Sequence, residues 1–242
     1  MSYGRGSLWS LGDRRRQRRS VSVGPALNRI DPATDRVVAS VHLPGFVGGD
    51  VAVGRSGVWA ATFGKARSAG FLVRIEPRSN SVTRTIRLDE EYVRRIVIVG
   101  STIVAEERHD QTMVLEAIDA RTGRVLARTG HRWPFEVDAI VAWRNELWAD
   151  TPDGAHQIDP RTLDAVGMPV RAACCFLASS GVGIWLETGT HHTLALFEPW
   201  NRRMRTFRHI DGGAIAAAAG PGALWLLDFD GTLQKIALVR RS

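Results

Sequence analysis

The sequence predicts an all-β fold, a β-propeller of about six four-stranded antiparallel blades with the first and last blades short of a strand. A unit of about forty residues recurs along the chain, and each copy holds strand-like alternation around a glycine-containing turn. No segment between the copies has a helical period of ten or more residues, which excludes a βαβ arrangement. Repetition of short strands without helices is the signature of radially stacked sheets.

The repeat is anchored by an apolar residue, an acid, usually a proline, and a small polar cluster. It reads Ile30-Asp31-Pro32-Ala33-Thr34, Ile75-Glu76-Pro77-Arg78-Ser79, Ile118-Asp119-Ala120-Arg121-Thr122, Ile158-Asp159-Pro160-Arg161-Thr162 and Phe197-Glu198-Pro199-Trp200-Asn201. The acids follow one another at intervals of 45, 43, 40 and 39 residues. An acid at the first turn position accepts hydrogen bonds from N–H groups just beyond it, and proline next to it sets φ for a type I turn, so the element predicts a hairpin. Strands follow it, as in the alternation of Val37, Ala39, Val41 and Leu43, and of Val82, Ile86 and Leu88 with Arg84 breaking the series.

A second hairpin precedes each turn, as in Val51 to Ala60, and recurs over 96–105, 139–149, 176–186 and 215–226. Its second strand carries Trp9, Trp59, Trp148, Trp185 or Trp225, with Val104 in the third copy. A large ring at one fixed place per unit is expected to wedge between neighbouring sheets as core. Two hairpins per copy give the units 6–45, 50–90, 94–131, 137–172, 174–211 and 212–242 of a single domain spanning 1–242. The first unit is expected to lack its innermost strand, because only five residues precede Gly6, and the last to stop without a fourth.

With 242 residues, 44% of them hydrophobic, the chain can build a core, which excludes disorder, collagen and coiled coil. Cys174 and Cys175 are adjacent and cannot staple distant segments. Apolar runs such as Ala214 to Ala219 are too short to span a bilayer as a helix. No signal-peptide apolar region follows the basic N-terminus, so the chain as written is expected to be cytoplasmic, or extracytoplasmic if its true start lies upstream.

The recurrent Gly-x-x-Trp strand and Ile-Asp-Pro-x-Thr hairpin, from Gly6 to Leu238, resemble those of YVTN-type β-propeller repeat proteins and virginiamycin B lyase-like propellers. That resemblance implies a propeller and leaves activity open, since the group holds both binding proteins and antibiotic-cleaving lyases. The lyase-like strand often reads Trp-Phe-Thr-Glu. Here Ile184-Trp185-Leu186-Glu187-Thr188 has the last two residues exchanged, which sends the acid to the opposite face of a strand, so no catalytic residue is carried over.

Two constellations are candidates for function. Two residues after the tryptophan position stand Glu106, Asp150 and Glu187, with Glu107, His109, Asp153, His191, His192 and Asp228 nearby. Oxygen-rich clusters of this kind take Mg²⁺ or Ca²⁺, and an imidazole beside them can act as a base. Polar residues also stand wherever a strand meets solvent. The second constellation is Arg14, Arg15, Arg16, Arg18 and Arg19 with Arg240 and Arg241. The net charge is +7, and with those seven set aside the remaining 25 bases equal the 25 acids. In a closed ring the two groups would be neighbours, a patch able to contact phosphates without reading sequence. Arg202, Arg203, Arg205 and Arg208 read as charges protecting an edge strand.

No phosphate-binding loop, dinucleotide fingerprint, zinc-type Cys/His spacing or nucleophile elbow is present. The sequence therefore predicts a non-enzymatic propeller that binds a protein or small-molecule ligand. Its alternatives are a metal-dependent lyase or hydrolase built on the acids, and sequence-independent nucleic-acid binding through the arginines.

Overall fold

The computed structural model describes residues 1–15, 22–46, 49–64, 69–88, 92–109, 112–129, 137, 139–170, 175–188, 193–210, 213–214, 216–228 and 232–238. Every regular element among them is a strand, and no helix long and apolar enough to cross a membrane is found. The coordinates form two units, Met1–Trp133 with Arg161–Leu163, and Pro134–Pro160 with Asp164–Ser242.

The first unit holds three antiparallel four-stranded blades: β1 (Ser2–Gly4), β2 (Ser7–Arg15), β3 (Ser22–Asp31) and β4 (Arg36–His42); β5 (Val51–Gly54), β6 (Gly57–Phe63), β7 (Gly70–Glu76) and β8 (Ser81–Leu88); β9 (Tyr92–Val99), β10 (Thr102–His109), β11 (Thr112–Asp119) and β12 (Val125–Arg128). The second holds β13 (Ala139–Trp143), β14 (Glu146–Thr151), β15 (Gly154–Ile158) and β16 (Ala165–Val170), then β17 (Phe176–Ser180), β18 (Gly183–Thr188), β19 (Thr193–Glu198) and β20 (Arg203–His209). Its last sheet, β21 (Ala216–Gly220), β22 (Ala223–Leu227) and β23 (Leu233–Ala237), has three strands among the described residues. In every sheet the spatial order is the chain order, the meander expected from two hairpins per repeat.

The first blade is complete, which corrects the sequence expectation. Ser2, Tyr3 and Gly4 pair with Trp9, Leu8 and Ser7. Three residues suffice because the strand is held from outside as well: Arg5 Nη2 donates to Arg55 O at 2.9 Å, and a Cβ on Gly4 would stand 2.5 Å from Val53 Cγ1. So close an approach of two inner strands requires glycine.

The tryptophans fill the core as expected. Trp9, Trp59, Trp148, Trp185, Trp225 and Val104 are all buried, each on the second strand of its blade. Around them the blade faces interlock: Trp59, Ile103, Ile118 and Leu88 share one cluster of the first unit, and Trp148, Phe176, Leu186 and Phe197 share one of the second.

The acid–proline hairpins form, with a detail the motif does not spell out. The fourth residue after each acid, Asp35, Asn80, Gly123, Leu163 or Arg202, lies at positive φ, between 50° and 76°. A four-residue loop built on a type I turn needs such a residue to bring the chain back into register. Beyond the turn, the pairing of third and fourth strands shifts register in all five blades that have a fourth strand, between Arg29 and Ile30, Arg74 and Ile75, Ala117 and Ile118, Ala155 and Gln157, and Leu194 and Ala195. Each outer strand is thus bulged, a device that bends an exposed edge away from pairing with another chain. The bulge also explains the broken alternation. Val41, Ile86 and Leu88 are buried, while Val37 and Val82, which precede it, face solvent.

Asp119 shows what the hairpin acid does. Its Oδ1 accepts from Arg121 N at 3.0 Å, Thr122 N at 2.6 Å and the Thr122 hydroxyl at 2.8 Å. Hydrogen bonding, foremost from the Thr122 hydroxyl, holds this carboxyl below the usual Asp value of 3.8. A depressed native pKa stabilises the fold above 3.8, and that contribution fades as the pH falls through the lower native value. Asp119→Ala is therefore expected to melt at a lower temperature than the parent near neutral pH, with the gap narrowing below pH 3.8 in thermal melts taken across the acid range. A gap independent of pH contradicts this role for the carboxylate.

Candidate functional site

The second strand of each blade runs outward past its tryptophan toward the end where the chain crosses to the next blade. A backbone N–H left buried and unpaired costs about 1–3 kcal/mol, and some N–H groups at the lead-in to a blade are met by a side chain of the blade before. An acid two residues beyond the tryptophan is placed to satisfy them. Asp150, buried on β14, accepts from Cys175 N at 2.5 Å, immediately before β17. Glu187, on β18, accepts from Ala214 N at 3.2 Å, just before β21. An acid at one repeat position thus ties the fourth blade to the lead-in of the fifth, and the fifth to that of the sixth.

Glu106 takes a different partner. Where β10 meets β9 the register shifts, pairing Glu106 with Arg95 and Glu107 with Val93, so that Arg94 is the extra residue of a bulge. The bulge re-aims Arg94, whose Nη1 lies 3.0 Å from Glu106 Oε1. On the opposite face of β10, buried Glu107 shares Arg128 with Glu116 of β11, each at 3.9 Å. A single guanidinium thus stands between two buried carboxylates.

The proposed cation ligands therefore sit on three blades, Glu106 in the first unit and Asp150 and Glu187 in the second, each with a partner of its own. Among the described residues, no group of three or more His, Cys, Asp and Glu is arranged to hold a metal ion. Asp228 accepts from Thr232 N at 2.7 Å and closes its own turn. Asp153 accepts from the Thr151 hydroxyl at 2.5 Å and lies 3.1 Å from Nε2 of buried His156. The Thr151 hydroxyl first, and His156 second, hold the Asp153 carboxyl below its usual value. The His109 side chain, His191 and His192 lie outside the described residues, as do the side chains of Arg14, Arg15, Arg16, Arg18 and Arg19, and Arg240 and Arg241.

Other arginines have structural duties that the sequence did not reveal. Arg29 Nη1 donates to Pro77 O of the next blade's hairpin at 2.9 Å, and Arg84 donates to the carbonyls of Arg121 and Thr122. Arg29 also lies over Trp9, as Lys235 lies over Trp225, both 5.7 Å from the ring centroid. The signal was present: in both blades a cation pairs directly opposite the tryptophan across the ladder.

Among the described residues several large apolar side chains stay at the surface, Phe46, Phe207, Trp200 and Met168 among them. Trp200, at the tip of the fifth hairpin, and Met168, on β16, are 54% and 77% exposed. Both are large and apolar, and both stand at the surface of the second unit.

Successive antiparallel meander blades with a buried tryptophan, or valine in the third, at one fixed place define a β-propeller. The chain is similar to BamB from Moraxella catarrhalis, with 13% identity over 94% of this chain and 73% of that one, at a TM-score of 0.52. It is similar also to a chain of the mitotic checkpoint complex, at 13% identity, 89% and 72% coverage and a TM-score of 0.59. The WD40 domain of Neurospora crassa Pan2 gives 9% identity, 89% and 70% coverage and a TM-score of 0.58. No family model matches the sequence, and no curated protein does. At these identities the likeness is one of fold.

The tether role carries a measurable consequence. Asp150→Ala removes a buried acceptor and is expected to destabilise the chain by about 1–3 kcal/mol in urea unfolding, whereas Asp150→Asn, which keeps an acceptor oxygen, costs less. Equal losses for the two variants contradict the assignment.

Proposed function

We propose that this chain is a non-catalytic β-propeller that holds protein partners on side chains outside its blade core. The observation that carries the reading is a division of labour. The carboxylates that chemistry would require are occupied in joining strands and blades, Asp150 on Cys175 N, Glu187 on Ala214 N and Glu106 on Arg94. Large apolar side chains with no such duty, Trp200 and Met168 foremost, face outward. A rigid stack of sheets presenting variable surface residues is suited to binding. The chain of similar fold solved within the mitotic checkpoint complex supports the reading by analogy of architecture.

Crosslinking the full chain in its own cells, identifying the attached proteins by mass spectrometry and reconstituting each with purified components is the direct test. The expected result is at least one saturable complex of fixed stoichiometry whose affinity changes less than about threefold on Glu187→Ala, since Glu187 is engaged within the fold by Ala214 N. Turnover of a small substrate that disappears on Glu187→Ala overturns the proposal.

A further inference from the structure

In the second unit, the hairpin of the fifth blade leans on the fourth blade at two points. The Trp200 ring packs on Trp143 with centroids 5.7 Å apart and planes tilted by 31°, and Arg202 Nη1 reaches Met168 O at 3.5 Å. The guanidinium of Arg144 lies over the same Trp143 ring at 4.3 Å. Trp143 is buried beneath them, while Arg144, Trp200, Arg202 and Met168 are exposed. They make one outward strip of cation, aromatic ring, cation and thioether.

Nothing in the hairpin itself calls for this tryptophan. The residue two places after the acid is Ala33, Arg78, Arg121 and Arg161 in the other copies, small or charged as an exposed turn position should be. β16 is equally unusual. The outer strands β4, β8, β12 and β20 all carry arginine, whereas β16 reads Ala-Val-Gly-Met-Pro-Val without a charge. Gly167 at φ 74° and Pro169 block strand addition there, so a partner meets β16 through side chains rather than through its backbone.

The charged groups that reach the strip are cations, Arg144 on the Trp143 ring and Arg202 on Met168 O. Glu146 is taken by Trp148 Nε1 at 2.9 Å, and buried Glu198 by Asn201 Nδ2 at 2.6 Å and Arg205 at 3.0 Å. Asp164, in the fourth blade's hairpin, is an exposed acid. Tryptophan and arginine are the residues that most often dominate interface energies, and methionine adapts its shape to what it meets.

We propose that this strip docks an acidic peptide segment of a partner protein. A large apolar side chain of the segment covers Trp200 and Met168, while its carboxylates pair with Arg144 and Arg202. The proposal rests on the reading of the chain as a partner-holding propeller and gives that reading a surface and a partner chemistry. A lipid surface fits less well, since even a whole myristoyl chain holds a protein to a bilayer only marginally and two side chains bury less.

Fluorescence anisotropy on the full chain tests this with three labelled synthetic peptides: one of alternating acidic residues and leucine or phenylalanine, one with lysine for every acid, and one with serine for every apolar residue. The first is expected to bind saturably, more weakly as salt rises, and at least tenfold more tightly than the other two. Trp200→Ser and the double variant Arg144→Glu/Arg202→Glu each weaken it at least tenfold, while Arg78→Glu, at the matching turn position of the second blade, leaves it unchanged. Met168→Glu supplies a further loss if Trp200→Ser fails to fold, as judged by its melt. Equal binding of the lysine peptide, no saturable binding up to about millimolar concentration, or no loss on Trp200→Ser overturns the proposal, as does capture by phosphatidylserine vesicles that depends on Trp200. If a reconstituted partner binds parent and Trp200→Ser alike, the partner-holding reading stands and this strip is overturned.

Discussion

Everything in this chain depends on a polar group of one blade satisfying the backbone of another. A four-stranded sheet has two apolar faces and cannot bury either alone, so blades must stack, and stacking forces the chain to cross between them. Asp150 and Glu187 answer N–H groups at the lead-in of the next blade, and Arg29, Arg84 and Arg202 answer carbonyls of a neighbouring hairpin or outer strand, every one of them reaching a neighbouring sheet. Burial supplies most of the driving force, but it is non-directional. The tethers fix which part of one blade meets which part of the next.

That requirement gives the basic composition a second meaning. Only Lys65 and Lys235 among the 32 basic residues are lysine. Arginine's planar fork reaches two carbonyls at once, as Arg84 does at Arg121 and Thr122, where an ammonium would act as a single point charge. The side chain also lies flat on a ring, as Arg144 does on Trp143. The excess of bases sits formally at the two ends, yet many arginines of the formally neutral body work on backbone and aromatic partners within the fold.

The sequence made the architecture legible because repetition multiplies weak local signals. One acid-led turn or one buried tryptophan is ambiguous, but five such acids at intervals of 39 to 45 residues, with five tryptophans at one repeat position, are not. The same reasoning failed where a feature has no period. Ser2–Gly4 is too short to alternate, and its strand exists because Val53 and Arg55 of the next blade hold it. The bulges were visible only as Arg84 interrupting a series, since the extra residue is defined by its pairing partner. The acids were correctly seen as equivalent positions, and what they face, an amide 25 residues away for Asp150 and 27 for Glu187, was not in any local pattern.

Repetition also makes departures from the pattern informative, because each blade is a control for the others. Asp150 and Glu187 share a repeat position and share a role, so their presence is explained by architecture. Glu106 occupies that position as well but is met by a bulged arginine instead, which shows that the blade tolerates more than one solution there. Trp200 belongs to neither case. Four other hairpins close with alanine or arginine in its place, and its ring leaves more than half its surface in water while resting on a tryptophan that is already buried. A side chain that the turn does not need and that costs the protein exposed apolar surface is what the proposed docking strip accounts for. The arginines beside it, Arg144 on the Trp143 ring and Arg202 on Met168 O, are the reason the proposed partner is acidic.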